Sequence, residues 1–439
     1  MSKQDILRHK SPNLETQTYE PPSVAPQRLE TNEITKLERV ARPIRHVKYI
    51  PLKALSFRTK TSPIDFTYSK EIKLPVPRDK LVIEVSHAAL NPIDLKIRNG
   101  YTKPLYGEIG LGREYCGVVT QVGDNIAYAW HPGDIVFGIY YHPTQTTGTL
   151  QSSILVDPRV DPVLLKPERL SREEAAGTLF CLGTAFNILD KLSRAKILTS
   201  SSNVLINGGT TSVGMFAIQL LKRYYKLDKK LVIVTSGNGP DVLEAKFPDL
   251  AGEMLFINYL SCRGKSSKPL KTMIQERKAI SYHSTLELGQ SDNNHKGETE
   301  IEYAQGKFDV VLDFVGGYDI LAHSSSLIHA SGAYVTTVGD YVADYSKDVF
   351  NSWDNPSASA RKLFGSITLS FTYSHFYFDP KVSTAHKNDW INVCGKLLED
   401  GTVTCVVDKV YDWSDINEAI DYMKTQRAQG KIVLKVEKF

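Results

Sequence analysis

The most constraining feature of this sequence is a strand, a glycine-containing turn, a helix and a second strand in direct succession. Residues 203–207 are a largely apolar run, 208–214 read Gly-Gly-Thr-Thr-Ser-Val-Gly, 215–225 have helical periodicity, and 231–235 are rich in β-branched residues. A turn that leads directly from a buried strand into a helix is typical of a βαβ unit in a parallel sheet. The pattern therefore predicts a domain of the α/β class.

The turn itself can hold a phosphate group, because backbone N–H groups meet the positive end of the helix dipole there. On the pattern Gly-x-Gly-x-x-Gly, Gly209 and Gly214 occupy the first and third glycine positions, and Thr211 stands in the second. The Cβ of Thr211 crowds a pyrophosphate, although threonine and serine hydroxyls can donate to phosphate in compensation. The alternative is a doubly wound domain with an empty or vestigial site. The predicted cofactor-binding residues of the turn are Gly209, Thr210, Thr211, Ser212, Val213 and Gly214.

The end of the second strand indicates which dinucleotide the turn would hold. An acid at this point, about twenty residues past the last glycine, binds the ribose of NAD. Residues 235–238 are Thr-Ser-Gly-Asn, so no acid is present. Its absence removes repulsion against a 2′-phosphate and favours NADP, with Ser236 among the predicted contacts. No arginine stands beside these residues in the sequence to bind that phosphate.

The remaining chain divides by its pattern. Short β-rich runs broken by Gly and Pro, from about 78 to 161, predict a small, partly open barrel. Ser-Arg-Glu-Glu at 171–174 has capping-box spacing and predicts a helix start. The polar stretch 261–306, whose helix signal is weak, is interpreted as a long surface excursion. Strands are predicted at 81–85, 115–122, 135–141, 308–314, 333–338, 403–407 and 431–436, and helices near 390 and from 414.

Composition excludes several classes of protein. The 439 residues carry 53 basic and 49 acidic side chains, a net charge of +4, which gives no reason to expect nucleic-acid binding. Five scattered cysteines show no metal-ligand spacing and indicate a reduced, intracellular protein that is not built on zinc. No apolar run is long enough to span a bilayer, and the polar N-terminus lacks the features of a signal peptide. Any membrane role would therefore be peripheral.

The N-terminal region has two features of its own. The proline-containing, polar residues up to about 38 predict a mobile arm, with its boundary at 1–40. The stretch 36–60 contains eight basic residues and one acid. Two interpretations of that stretch remain open, a solvated first strand with its flank, or a basic patch that faces an anionic membrane or an acidic partner.

Five ordered motifs extend the comparison to a known family. They are Asn-Pro-Ile-Asp at 91–94, the run from Gly-Arg-Glu-Tyr-Cys-Gly at 112–117 to Gly-Asp-Ile-Val at 133–136, the strand and turn at 204–214, the segment 309–317, and Gly-Lys-Ile-Val-Leu at 430–434. Together they resemble the medium-chain dehydrogenase/reductase superfamily, in its zinc-free quinone-oxidoreductase branch. The resemblance implies a GroES-like barrel at 41–180, a Rossmann domain at 181–350, and a C-terminal segment at 351–439 that completes the barrel and packs on the Rossmann domain. It also implies a cofactor cleft between the two domains, an NADPH-dependent reaction and a homodimer.

The same resemblance indicates roles for single residues. Zinc-using relatives place Cys where Asn91 stands and His at the position of Arg113, so only Glu114 of that ligand set remains and we predict no metal. Asn91 would lie near the nicotinamide and Tyr259 near the 2′-phosphate. Tyr101 is a candidate proton donor, one position out of register with related enoyl reductases. The alternative is a buried structural asparagine and a surface tyrosine.

A second set of segments is similar to the fungal ATPase-stabilising factor family, a yeast family on the same fold. They lie at 46–51, 111–115, 262–269, 353–358 and 425–431, and the match runs nearly end to end. Membership implies a peripheral, raft-associated protein that helps deliver the plasma-membrane proton ATPase to the cell surface from the cytoplasmic side of secretory membranes. Two functions that do not exclude each other therefore remain open, a trafficking factor for that ATPase and an NADPH-dependent reductase of quinones or enones. A purely structural role without any ligand is the third and least specific option.

Overall fold

Both kinds of sheet that the sequence predicts are present in the molecule. They are seen in a computed structural model, which describes residues 48–100, 106–142, 145–282, 298–350, 361, 369–380 and 390–436. The predicted arm at 1–40, the part of the basic stretch before residue 48, and Tyr101 lie outside the described residues.

The barrel part is built from short antiparallel strands. They are β1 (Tyr49–Phe57), β2 (Asp65–Lys73), β3 (Leu81–Leu90), β4 (Ile109–Gly110), β5 (Glu114–Val122), β6 (Ile135–Ile139), β7 (Ser153–Val156) and β8 (Val163–Leu165). β3 pairs with β5 and β7, and β5 continues through β6 to β8. β1 pairs with β2 and β4 in a separate small sheet. The Leu55 N–H in β1 donates to the Leu150 carbonyl at 2.9 Å.

The second sheet is parallel and fully covered. The strands of this region are β9 (Val204–Asn207), β10 (Leu231–Thr235), β11 (Met254–Asn258), β12 (Lys278–Tyr282), β13 (Glu298–Glu302), β14 (Phe308–Asp313), β15 (Ile328–Thr336) and β16 (Thr372–His375). Within the described residues the order in the parallel sheet is β11-β10-β9-β14-β15-β16. In β9, Val204 and Ile206 pack into one core cluster and Leu205 packs into another, so both faces of the sheet are buried. This burial explains why the strand reads as an apolar run.

The helices begin close to the points that the sequence indicates. Ser171 and Glu174 form the predicted capping box, with bonds of 2.8 and 3.1 Å between each side chain and the other residue's backbone N–H. The helix predicted at 215–225 begins at Ser212 and ends in a π-helical turn, Leu220–Tyr224. The helices are α1 (Pro92–Asn99), α2 (Arg172–Ala176), α3 (Leu179–Arg194), α4 (Ser212–Gln219), α5 (Gly239–Lys246), α6 (Ser267–Glu276), α7 (Asp319–Ala322), α8 (Ser324–Leu327), α9 (Trp390–Glu399) and α10 (Ile416–Lys424).

The C-terminal strands return to the barrel sheet. They are β17 (Val407–Asp412) and β18 (Lys431–Lys435), and β18 pairs antiparallel with β3. The prediction of a strand at 403–407 is wrong in its position. Val403 and Cys405 are buried, but the backbone at Thr404 bonds to the amide of Gln219, at 2.8 and 3.0 Å, rather than to another strand. The Gln219 side chain satisfies the backbone at Thr404 as a neighbouring strand would. Val403 and Cys405 are buried on either side of it, so the sequence shows the apolar alternation of a strand.

The interpretation of 261–306 as a surface excursion also needs correction. It contains α6 and the antiparallel pair β12–β13, and Leu270, Ala279 and Tyr303 are buried in the core cluster that holds Leu205. Single apolar residues between polar ones produce this burial, which explains the weak signal. Residues 283–297 lie outside the described part of the chain.

Two further expectations concern the whole chain. All five cysteines lie in described segments and carry free thiols. In the part of the chain that the structure covers, no helix has both the length and the apolar character needed to cross a bilayer.

Candidate functional site

The glycine turn between β9 and α4 is shaped by close backbone approach. Gly208 has φ of +93°, in the left-handed region. A Cβ at Gly209 would lie 2.2 Å from Cγ2 of Ile233, and one at Gly214 would lie 2.3 Å from the carbonyl oxygen of Gly208. Both distances are too short for any side chain. The two glycines that the sequence pattern singles out therefore allow the helix to start directly against the sheet.

Thr211 has a local role that its position in the motif does not reveal. It is the N-cap of α4, where its hydroxyl accepts from the Gly214 N–H at 3.0 Å and donates to the Gly208 carbonyl at 2.8 Å. The sequence suggested that this hydroxyl could donate to a phosphate. Its single hydrogen is instead used within the turn, in the bond to the Gly208 carbonyl. The first N–H groups of the helix, at Ser212 and Val213, have no acceptor within the helix and remain available to an anion.

The predicted ribose-binding residues lie at the ends of two neighbouring strands. Ser236 follows β10 and is half-buried, and the Tyr259 N–H that follows β11 donates to the Thr235 carbonyl at 3.1 Å. Parallel strands place these ends at one edge of the sheet, beside the turn after β9.

An arginine reaches this edge from a distant part of the chain. Arg427 Nη1 donates to the Tyr259 hydroxyl at 2.9 Å, and the nearby Gln429 and Asn238 amides bond to each other at 2.9 and 3.3 Å. No arginine stands beside residues 235–238 in the sequence, so sequence neighbours could not predict this contact. Arg427 is 168 positions from Tyr259, and no local signal connects them.

Asn91 belongs to a buried polar cluster formed by the N-cap of α1 and residues of β5, α3 and β18. Its side-chain oxygen accepts from Lys431 Nζ at 2.8 Å, and its Nδ2 donates to Glu114 Oε1 at 2.8 Å. Lys431 also donates to Glu114 Oε1 at 2.7 Å and lies 3.8 Å from Cys181 Sγ. Glu114 is completed by the Phe180 N–H at 2.8 Å. The amide of Asn91, which is 2% exposed, is therefore fixed by protein groups on both sides.

The electrostatics of this cluster centre on the lysine. Burial alone would lower the pKa of Lys431, but interactions with Cys181 and with the Glu114 carboxylate raise that pKa on balance. At neutral pH the carboxylate of Glu114 is the group whose charge balances the ammonium. Burial raises the pKa of Cys181 to about 11, against the opposing effect of Lys431, so this residue is a thiol at neutral pH.

Arg113 is buried next to Asp94 and binds backbone carbonyls. It is fully buried, donates through Nη1 to the carbonyls of Gly112 and Thr147 at 2.9 and 3.0 Å, and lies 3.8 Å from Asp94. Asp94 in turn accepts the N–H groups of Asn91 and Gly112, both at 2.9 Å. Burial raises the pKa of Asp94, and Arg113 counters that rise. These contacts hold α1 against β5 and fix the backbone at Asn91.

The structure thus unites some predicted residues and leaves others apart. The turn, Ser236 and Tyr259 share one sheet edge, and Asn91 lies in the buried polar cluster around Lys431. Tyr101 lies outside the described residues. Sequence reasoning missed Cys181, Arg427 and Lys431, although the segments that contain the last two had been noted as family motifs. Within the described segments, no group of three or more His, Cys, Asp or Glu side chains is arranged to hold a metal.

Two protein families match the chain by sequence. The alcohol dehydrogenase GroES-like domain matches residues 77–155, and the zinc-binding dehydrogenase family matches residues 290–434. The quinone oxidoreductase from Coxiella burnetii superposes with a TM-score of 0.60 at 20% identity, over 88% of this chain and 100% of that one. The mycobacterial protein Rv1454c, solved in complex with NADPH, gives 0.59 at 16% identity, over 88% and 99%. At such identities the likeness shows the fold alone, and it confirms the predicted fold class.

A closer relative extends over the whole sequence. Protein AST1 of Saccharomyces cerevisiae is 63% identical over 436 residues, which is 99% of this chain and 99% of that protein. The match covers 99% of this chain, whereas the quinone oxidoreductase from Coxiella burnetii superposes on 88% of it. With its barrel sheet, its parallel sheet and this full-length identity, the chain belongs to the fungal AST1 family, on the scaffold of the medium-chain dehydrogenase/reductase superfamily.

Proposed function

We propose that this chain is a peripheral-membrane trafficking factor that helps to target and stabilise the plasma-membrane proton ATPase. The observation that carries the proposal is the full-length identity with AST1, because it includes segments outside the dehydrogenase scaffold. The resemblance to the ATPase-stabilising factor family supplies the partner. In this proposal the protein acts at the cytoplasmic side of the plasma membrane and secretory-pathway membranes, including their raft regions, and holds the ATPase by binding rather than by turnover.

The basic stretch offers a way to contact the membrane. Two of its members are used within the protein, since Lys53 lies over the rings of Phe66 and Trp413 at 4.3 and 4.8 Å, and Arg58 pairs with Glu108 at 3.2 Å. Lys48 is exposed and forms no ion pair with a described residue. Six basic residues of the stretch remain for an anionic surface, and four of them, Arg39, Arg42, Arg45 and Lys48, lie close together in the sequence; the other two are Lys36 and Lys60.

Vesicle flotation tests the membrane contact. Reversal of Arg39, Arg42, Arg45 and Lys48 to Glu should weaken binding to phosphatidylserine vesicles by at least about 100-fold, because each basic residue near anionic lipid contributes about 1 kcal/mol. A matched control reverses four exposed lysines elsewhere, with the same change in net charge. These are Lys230, Lys246, Lys265 and Lys268. Equal loss in both variants would reduce the effect to net charge and contradict the proposed patch.

The ATPase contact has its own test. Tagged full-length chain, expressed in yeast, is captured from detergent-solubilised plasma membranes, and the eluate is probed for the proton ATPase. We expect the ATPase to co-elute with the chain and not with a tagged quinone oxidoreductase of the same fold. Absence of the ATPase from the eluate, with its level in the membrane input unchanged, would contradict the proposed partner.

A second candidate function, reduction of quinones or enones, is favoured by the sheet edge described above. The turn 209–214 would hold a pyrophosphate, and Ser236, Tyr259 and Arg427 would surround a 2′-phosphate. NADPH, when bound, supplies a hydride, and the chain would bind and orient the acceptor. Titration of the protein with NADPH and NADH by fluorescence tests this candidate. Binding of NADPH followed by its oxidation with a quinone supports it, and unquenched fluorescence at millimolar NADPH excludes it.

A further inference from the structure

The buried cluster around Lys431 has the composition of a metal site, with an ammonium at its centre. Asn91 Oδ1, Glu114 Oε1 and Cys181 Sγ lie at 2.8, 2.7 and 3.8 Å from Lys431 Nζ. The ammonium has three hydrogens and meets three acceptors. All four side chains are at most 6% exposed. They come from four separate elements, the cap of α1, β5, α3 and β18.

Oxygen and sulfur donors that converge in this way are those that a divalent cation such as Zn²⁺ takes. The chain also matches the zinc-binding dehydrogenase family by sequence over residues 290–434. The residues as arranged do not fit zinc, however. A zinc ion would need to lie about 2.0–2.3 Å from its ligands, in the space that the ammonium fills. Two cations this close in a buried site would also repel each other strongly.

Neighbouring residues keep the lysine in this position. Lys431 is paired into β18, opposite Val407, and its backbone N–H donates to Val406 at 2.9 Å. A Cβ on Gly177 would lie 3.0 Å from Cβ and Cγ of Lys431, so glycine there leaves room for the lysine stem. Glu114 also accepts the Phe180 N–H, so the carboxylate is aimed at the ammonium from a fixed backbone.

We propose that Lys431 is an internal cation that takes the place of the metal of zinc-binding dehydrogenases. It neutralises the Glu114 carboxylate, orients the Asn91 amide and excludes a divalent ion from the cluster. The proposal concerns this cluster alone and does not depend on the trafficking or reductase function. It assigns to one lysine the property that decides whether this scaffold holds a metal.

The test asks whether the lysine, rather than the missing zinc ligands, keeps metal out. Asn91→Cys supplies a third good donor beside Glu114 and Cys181 while the lysine stays. Asn91→Cys/Lys431→Ala also opens the space, and Asn91→Cys/Lys431→Met removes the charge but fills most of the volume. Each full-length protein is dialysed against Co²⁺, and bound metal is measured by mass spectrometry and by the thiolate-to-cobalt absorption band.

We expect one equivalent of Co²⁺ with a thiolate band in Asn91→Cys/Lys431→Ala, and no bound metal above the buffer blank in the wild type, in Asn91→Cys or in the methionine variant. Adding Cys181→Ser to the binding variant should weaken the band. The proposal is overturned if Asn91→Cys alone binds Co²⁺ as well as the double variant, or if the double variant folds by circular dichroism and binds none.

A wild-type measurement decides the question even where a variant does not fold. Protein purified from zinc-supplemented cells should contain no zinc that Cys181→Ser removes, and its melting temperature should not change with a chelator. Stoichiometric zinc that is lost in Cys181→Ser, with a fall in melting temperature on chelation, would show a metal in the cluster and overturn the proposal.

Discussion

Gly214→Ala tests whether close helix–strand contact, and not flexibility, requires a glycine in the turn. A Cβ at this position would lie 2.3 Å from the Gly208 carbonyl oxygen and 3.0 Å from Cα of Gly209. Both neighbours are backbone atoms, which cannot rotate away as a side chain can. The start of α4 would therefore have to move away from the sheet, and with it the N–H groups that face a phosphate.

The size of the effect follows from two opposing contributions. Overpacking of this kind costs about 1–3 kcal/mol, while alanine is favoured over glycine inside a helix by up to about 1 kcal/mol. The net loss is about 1–2 kcal/mol, and we expect the melting temperature to fall by about 2–6 °C. Displaced N–H groups should also bind NADPH more weakly. Because a ligand stabilises the folded state by mass action, the rise in melting temperature with NADPH should then be smaller.

Gly237→Ala is the matched control for this change. Its Cβ would meet only Leu260 Cδ1, at 3.9 Å, which is an ordinary contact, and its φ lies outside the left-handed region. Thermal melts of both variants with and without millimolar NADPH are the assay. We expect the free energy of unfolding of Gly237→Ala to lie within about 0.5 kcal/mol of the wild-type value. A Gly214→Ala protein that melts like the wild type and keeps its full NADPH response would refute the steric argument.

Three further predictions concern single side chains. Arg427→Ala should weaken NADPH binding about 10–100-fold and leave NADH binding unchanged, because a hydrogen bond to a charged group contributes about 1.5–3 kcal/mol; calorimetry with both nucleotides measures this, and equal loss for both would contradict it. Asn203→Ala should lower the free energy of unfolding by about 1–3 kcal/mol in urea melts, since its buried amide donates to Tyr303 and to the backbone before β14; an unchanged midpoint would contradict it. Burial lowers the pKa of His87 below 6.5 despite the nearby Glu173, so the unfolded chain protonates first and stability should fall as the pH drops from about 7 to 5. His87→Gln should flatten that dependence in melts across this range, and an unaltered slope would rule out this residue as its cause.

The fold was predictable where local sequence determines it. The run 203–207, the glycines of the turn and the capping box at Ser171 and Glu174 each depend on neighbours within a few positions, and all appear as predicted. The ends of elements that depend on partners far away in the sequence could not be predicted from local sequence. The predicted strand at 403–407 fails because Gln219, far away in the chain, satisfies the backbone at Thr404. A local pattern cannot distinguish burial against a side chain from burial in a sheet.

The candidate site shows the same limit and also a way past it. Lys431 and Asn91 are 340 positions apart, and no spacing rule connects them. Glu114 nevertheless directly precedes the strand predicted at 115–122, and a carboxylate that is buried needs a counter-charge. Where the zinc ligands are replaced by asparagine and arginine, the sequence therefore leaves an acid whose cation has to come from elsewhere. The lysine of the Gly-Lys-Ile-Val-Leu motif at 430–434 is such a cation. Charge balance in the core is thus a constraint that sequence alone supplies, even when the fold that satisfies it is not yet known.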